Sequence, residues 1–159
     1  MKATVGLHVS YSQIAVFDST LQRPFNDWTS GHVAQGFAWR PGSVSFRTLV
    51  ESGTHTIEVD TPEHFGSLHV NAVRAIEVPF GVADNIVLEI SSISDSELIS
   101  IPSGSYAVRC EFLGVDDFGN QHVHLSFVRE ENPRFAVLLA DQELAVGATL
   151  ITQAQPAVS

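Results

Sequence analysis

Cationic side chains are scarce in this chain: eight lysines and arginines stand against eighteen aspartates and glutamates in 159 residues. Phosphate binding relies on clustered cations that release counterions. Here the bases are scattered singly, so nucleic acid is excluded as the direct ligand. Cysteine is almost missing. Cys110 stands alone, which rules out an internal disulfide, and on a strand of alternating apolar residues it reads as a small buried hydrophobe. Long apolar runs are lacking too. Nothing approaches the ~18 residues of a membrane span, and polar residues interrupt the first ten positions, so no secretory leader is read there. The cytoplasm is the expected compartment. The sequence also lacks GxGxxG and GxxxxGK[ST] nucleotide loops, a GxSxG elbow, an SxxK pair and HExxH. It carries no catalytic signature and implies no cofactor.

What is present can fill a core. Hydrophobic residues make up 44% and mean hydropathy is +0.13. A chain of this length reads as one domain over residues 1–159, burying about 68–70% of its unfolded surface. Charge is unevenly spread. Residues 1–50 hold four bases and two acids, a balance of +2, whereas residues 51–159 hold four bases and sixteen acids, a balance of −12. Such a surface keeps a protein soluble and favours a cationic partner, of which nucleic-acid-binding proteins are the commonest large class.

Apolar residues recur every second position. Val5, Leu7 and Val9 alternate, then Ile14 and Val16, with Tyr11-Ser12 breaking the two apart. Further runs centre on Val44 and Phe46, Ile57 and Val59, Ile86 to Ile90, Ile99 and Ile101, Tyr106 to Phe112, and Val123 to Phe127. Short runs of β-branched and aromatic residues read as half-buried strands. Pro41-Gly42, Asp84-Asn85, Pro102-Ser103-Gly104 and Phe118-Gly119-Asn120 supply the turns between them. The expected fold is all-β, an antiparallel β-sandwich. One short helix is expected near residues 29–36, with Thr29 as N-cap and Gly36 closing its end. His32 sits where Glu or Gln would complete a capping box, and Gly31 costs the helix about 1 kcal/mol. Residues 60–72 read as a loop or irregular crossing. Phe135 to Ala140 reads as a strand buried on both faces, Glu143 to Ile151 as strand or helical turn, and the tail from about 153 as frayed.

His122-Val123-His124 places two imidazoles on one strand face, which makes His122 and His124 the candidate metal pair of an alternative, metal-dependent reading. No ExH or cysteine ligand lies nearby. Asp116-Asp117 and Glu130-Glu131 flank the strand that holds Val123, and clustered loop carboxylates can bind calcium, although no DxDxDG spacing occurs. The alternative function is therefore a calcium- or ligand-binding β-sandwich module. The same four acids are the first candidates for contact with a cationic protein. Asp84 and Asp95 on other turns join them, and so does Trp39, since exposed tryptophan is enriched at interface hot spots. The composition is compatible with a homo-oligomer.

Two ordered blocks resemble a known family. The first runs Tyr11-Ser12-Gln13-Ile14-Ala15-Val16-Phe17, Asp27-Trp28-Thr29, Gly36-Phe37-Ala38 and Gly42-Ser43-Val44-Ser45-Phe46. The second runs Val78-Pro79-Phe80, Asn85-Ile86-Val87-Leu88-Glu89-Ile90 and Ile101-Pro102-Ser103-Gly104-Ser105-Tyr106. In order and spacing over about residues 5–113 they resemble the competence protein J family, also called the DNA-entry nuclease inhibitor family. The resemblance implies a small non-enzymatic protein that binds and suppresses a DNA-degrading nuclease serving DNA uptake in competence. It implies a cationic nuclease as partner, with no direct contact to nucleic acid and none to membrane. It supplies no inhibitory residue set. The C-terminal third is longer than the family pattern.

Overall fold

In chain order, the computed structural model, which describes residues 1–158, contains β1 (Lys2–Val9), β2 (Gln13–Asp18), α1 (Ser30–Gln35), β3 (Phe37–Arg40), β4 (Ser43–Arg47) and β5 (Gly53–Asp60). Then come β6 (Arg74–Val82), β7 (Leu88–Ser91), β8 (Ser96–Ile99), β9 (Gly104–Val115), β10 (Gln121–Arg129) and β11 (Ala136–Leu139). The larger sheet has strand order β1-β5-β10-β9-β6-β11 and the smaller β3-β4-β2-β7-β8. All pairs are antiparallel except β5 with β10. The all-β sandwich expected from period two is the fold observed.

Alternation decides which face is buried. Val5, Leu7 and Val9 of β1 point inward with Ile57 and Val59 of β5, Val123, Leu125 and Phe127 of β10, and Val108, Cys110 and Phe112 of β9. They meet Ile14, Val16, Val44, Phe46, Leu88 and Ile90 of the smaller sheet. Cys110 is one of these core residues, and burial pushes its thiol pKa well up.

The helix forms where Thr29 and Gly36 mark its ends. His32 completes the capping box in place of Glu or Gln: Thr29 N–H donates to His32 Nδ1 at 3.0 Å, and His32 N–H donates to Thr29 Oγ1 at 3.3 Å. A ring nitrogen that accepts carries no proton, so the hydrogen sits on Nε2. That N–H donates to the carbonyl of Gln153 at 3.0 Å. Gly36 takes the left-handed conformation at φ 91° and its N–H donates back to His32.

Three expectations are corrected. The tail from 153 is docked, not frayed: Asp27 N–H donates to Gln155 O at 2.8 Å, Ala157 N–H to Phe25 O at 2.8 Å, and Ala154 is buried. Gly31 is explained by the same segment, because a Cβ there would overlap Ile151 Cδ1. Residues 135–140 are not a strand buried on both faces. β11 is a half-buried edge strand, and Phe135 before it packs on Phe37 and Trp39. Residues 143–151 settle into neither strand nor helix, and the irregular crossing at 61–73 is present.

One interior strand, β6, is not evident from the pattern, since Arg74 begins it and Pro79 interrupts it. Pro79 is tolerated because β11 pairs only with residues 75–77. Its carbonyl accepts from Trp39 Nε1 at 2.7 Å on that side, so no ladder bond is lost. Arg74 is fully buried. Its Nε and Nη2 grip Asp141 at 2.8 and 3.0 Å, and Nη1 donates to the carbonyls of Arg47 and Thr48 at 2.6 and 3.2 Å.

Removing one partner of such a pair strands a charge in the core. Asp141→Ala is expected to lower stability by about 3–5 kcal/mol in urea unfolding, and Arg74→Met with Asp141→Leu to recover most of it; an Asp141→Ala loss below about 1 kcal/mol would contradict this. A second prediction concerns His55, fully buried, with Nδ1–H on Gly53 O at 3.0 Å and Nε2 unpartnered among the described residues. Burial holds its pKa below 6.5, so between the two values the unfolded chain binds more protons. Its stabilising effect is full above about 6.5 and is lost as pH falls from there toward the folded value. The difference in unfolding free energy between pH 7.5 and 5.5 should be smaller in His55→Leu than in the unsubstituted chain; equal slopes would refute it.

Candidate functional site

The β9–β10 hairpin carries Asp116 and Asp117. Asp116 holds its own loop closed. Oδ1 accepts from the N–H groups of Phe118 and Asn120 at 2.8 and 3.0 Å, and Oδ2 pairs with His122 Nε2 at 2.9 Å. The backbone closes the same turn, with Asp116 N–H donating to Asn120 O at 2.9 Å. The His122 bond, then the Asn120 N–H, hold the Asp116 carboxyl below its ordinary 3.8. Asp117 and Phe118 project from this braced tip, and Phe118 is 90% exposed.

Glu130 and Glu131 are exposed at the far end of β10. The strand between has nine residues, so the two acidic pairs lie about 30 Å apart. The four candidate carboxylates are therefore not one patch, and they cannot share an ion. Glu130 accepts from Asn132 N–H at 3.2 Å. Asp95 is also spent internally, since its oxygens accept from His8 N–H at 2.8 Å and Ser96 N–H at 2.9 Å. Asp84 is exposed on the turn after β6. Trp39 is half-buried between Phe135 and Pro79 O, where it seals the β3 edge.

The imidazole pair does not converge on a metal position. His122 closes on Asp116, while His124 Nε2 pairs with Glu58 Oε2 at 2.9 Å. Among the described residues no three His, Cys, Asp or Glu side chains group to hold a metal ion. The metal-dependent reading loses its site on that geometry.

Strand register builds a charged outer face on the larger sheet that the linear sequence does not display. Lys2, Asp60, Ser126, Arg109 and Glu77 lie in one row across five strands; Thr4, Glu58, His124 and Glu111 lie in the next. Two pairs form on this face, Arg109 with Glu77 and His124 with Glu58. Arg109 bonds Glu77 at 3.2 Å, donates to Gly66 O at 3.0 Å and lies 4.0 Å over the Phe65 ring. Glu111 accepts from His69 N–H at 2.8 Å. The 61–73 crossing therefore covers part of this face.

A different surface lies where β1 ends. Tyr11, Ser12, Gln13, Trp28, Val33 and Arg47 line a cleft of about 380 Å³. Trp28 forms part of the wall with Nε1 on Gln13 Oε1 at 3.2 Å. Tyr11 stands 73% exposed. The sequence shows Tyr11 as a strand break and as the first residue of a family block, with no sign of its exposure. The available signal was a turn between two alternating strands with no glycine, asparagine or aspartate in it.

Comparison with known proteins adds three findings. A model of the competence protein J (ComJ) family matches residues 6–128. The DNA-entry nuclease inhibitor of Bacillus subtilis (strain 168) is 28% identical over 106 residues, which is 65% of this chain and 76% of that protein. The crystal structure of ComJ, inhibitor of the DNA degrading activity of NucA, from Bacillus subtilis has the same fold, with a TM-score of 0.67 at 22% identity over 80% of this chain and 96% of that one. Residues 129–158, with β11 and the docked tail, fall outside the family match.

The braced tip gives a direct expectation. In Asp116→Ala the amides of Phe118 and Asn120 should lose their protection from hydrogen exchange, while those of Val123 to Phe127 keep theirs. Retained protection at 118 and 120 would mean the carboxylate does not hold the loop.

Proposed function

The chain belongs to the competence protein J family, and from that premise we propose that it binds a DNA-degrading nuclease and suppresses it, breaking no bond itself. The observation that carries this reading is the match over residues 6–128, joined to a Bacillus subtilis relative named as a DNA-entry nuclease inhibitor. The partner is a cationic nuclease serving DNA uptake, and the encounter is between folded proteins.

Elementary electrostatics supports it. A nuclease holds the phosphate backbone with cations, or with a metal and cationic neighbours. A chain with a net charge of −10 approaches that surface down a favourable potential, and steered association reaches about 10⁸–10⁹ M⁻¹s⁻¹ at low salt. The same charge repels DNA, so the inhibitor competes for the nuclease and not for its substrate. Close charge pairs across an interface couple by roughly 1.5–7 kcal/mol. A few of them with one aromatic anchor reach nanomolar affinity, near −12 kcal/mol. No catalytic group is needed.

The test is a DNA-degradation assay with purified NucA of Bacillus subtilis. The full chain should suppress degradation near one equivalent, and raising salt from 50 to 300 mM should slow association more than it hastens dissociation. Degradation that continues at a large excess of the chain, with no complex formed, would refute the reading.

A further inference from the structure

We propose that the nuclease docks on the end of the sandwich where β1 and β9 finish and β5 and β10 begin, with Tyr11 and Phe118 as its two aromatic contacts. The inference rests on the inhibitor reading above and assigns it a surface.

Register brings the two rings to one end. Val9 pairs with Gly53, Gln121 with His55, and Gln121 with Val115. The turn after β1 and the tip of the β9–β10 hairpin therefore flank the start of β5, two strand spacings or about 10 Å apart. Both rings are held in water by rigid backbone. Tyr11 and Ser12 sit at φ 57° and 59°, a left-handed conformation that residues other than glycine seldom adopt. The turn is pinned by Ser12 N–H on Glu51 O and Thr48 N–H on Ser12 O, both 2.9 Å. Phe118 stands on the loop that Asp116 closes. Neither ring enters the core, and the left-handed backbone at Tyr11 and Ser12 is of a kind that gathers at functional sites.

The chemistry around the rings selects the occupant. Glu51 and Asp117 are exposed beside them, and the one nearby base, Arg47, is paired with Glu143 at 3.3 Å. Trp28 lines the cleft next to Tyr11. Aromatic anchors with free carboxylates at their rim suit a basic protein surface, whereas a phosphate backbone would be repelled. The other surfaces fit less well. The outer face of the larger sheet is partly covered by the 61–73 crossing, and the β6 edge and helix α1 are covered by the chain's own C-terminal segment. Glu130 and Glu131, at the opposite end, have no exposed aromatic ring beside them.

The experiment uses the full chain with NucA. Tyr11→Asn keeps a residue that tolerates the left-handed turn, and Phe118→Ser removes a ring that touches no core; unchanged thermal midpoints confirm folding. Each should weaken binding in calorimetry at least tenfold, and the double variant should abolish inhibition at one equivalent. Asp117→Lys should slow association, while Glu130→Lys with Glu131→Lys leaves affinity unchanged. Full inhibition by the double variant, or equal loss in the Glu130/Glu131 variant, would overturn the surface and leave the inhibitor reading standing. Failure of the unsubstituted chain to inhibit would overturn the parent reading. Tight binding of a single-stranded oligonucleotide that depends on Tyr11 and Phe118 would overturn the choice of a protein occupant.

Discussion

A guanidinium buried at the start of an interior strand is the constraint that orders its surroundings. Arg74 cannot be neutralised and cannot reach water, so every neighbour that touches it is bound to supply an acceptor. Asp141 gives two oxygens, and the carbonyls of Arg47 and Thr48 give two more. Those acceptors come from β4, from the link into β5, and from a segment that follows β11. One side chain thereby ties the smaller sheet and the C-terminal segment to the larger sheet. The acceptors that satisfy it are few and directional, which a purely apolar contact at that position would not require.

The C-terminal segment is held by the same kind of bond along its whole length. His32 reaches Gln153, Gln35 exchanges bonds with Ile151, and Asn26 bridges Pro156. Leu144 packs over Gly36, and Ile151 over Gly31. Its course covers the β6 edge and helix α1, two places where a sandwich would otherwise offer a partner an open backbone or an apolar face. That coverage narrows where another protein can bind. The end bearing Tyr11 and Phe118 is left uncovered by it, and the proposed docking surface lies there.

Much of the architecture was legible in the sequence because it is periodic. Strands around Val5, Ile57, Tyr106 and Val123 show their inward faces in every second residue, and Thr29 with Gly36 marks a helix of a turn and a half. The unreadable parts follow from other physics. β6 hides behind Pro79 and Arg74, whose tolerance depends on a short neighbour strand and on Asp141, far away in sequence. The docked tail is held through backbone and amide groups, which leave no apolar period, so it looks like a frayed end. The candidate acids show a third case. Asp116 and Glu130 looked like one cluster because they flank the same strand, yet the length of that strand separates them, and three of the bonds made by Asp116 are to its own hairpin. Tyr11 and Phe118 are distant in sequence and meet at one end only through the parallel pairing of β5 with β10.

In the proposed complex the nuclease rests on this end of the sandwich and is inhibited sterically and electrostatically. Hydrogen exchange of the chain alone and in complex with NucA reads that contact. Slowed exchange at residues 11–13, 51–53 and 116–120, with residues 130–132 and 141–155 unchanged, is the predicted footprint. Protection centred on residues 130–132, or on the C-terminal segment over α1, would contradict it.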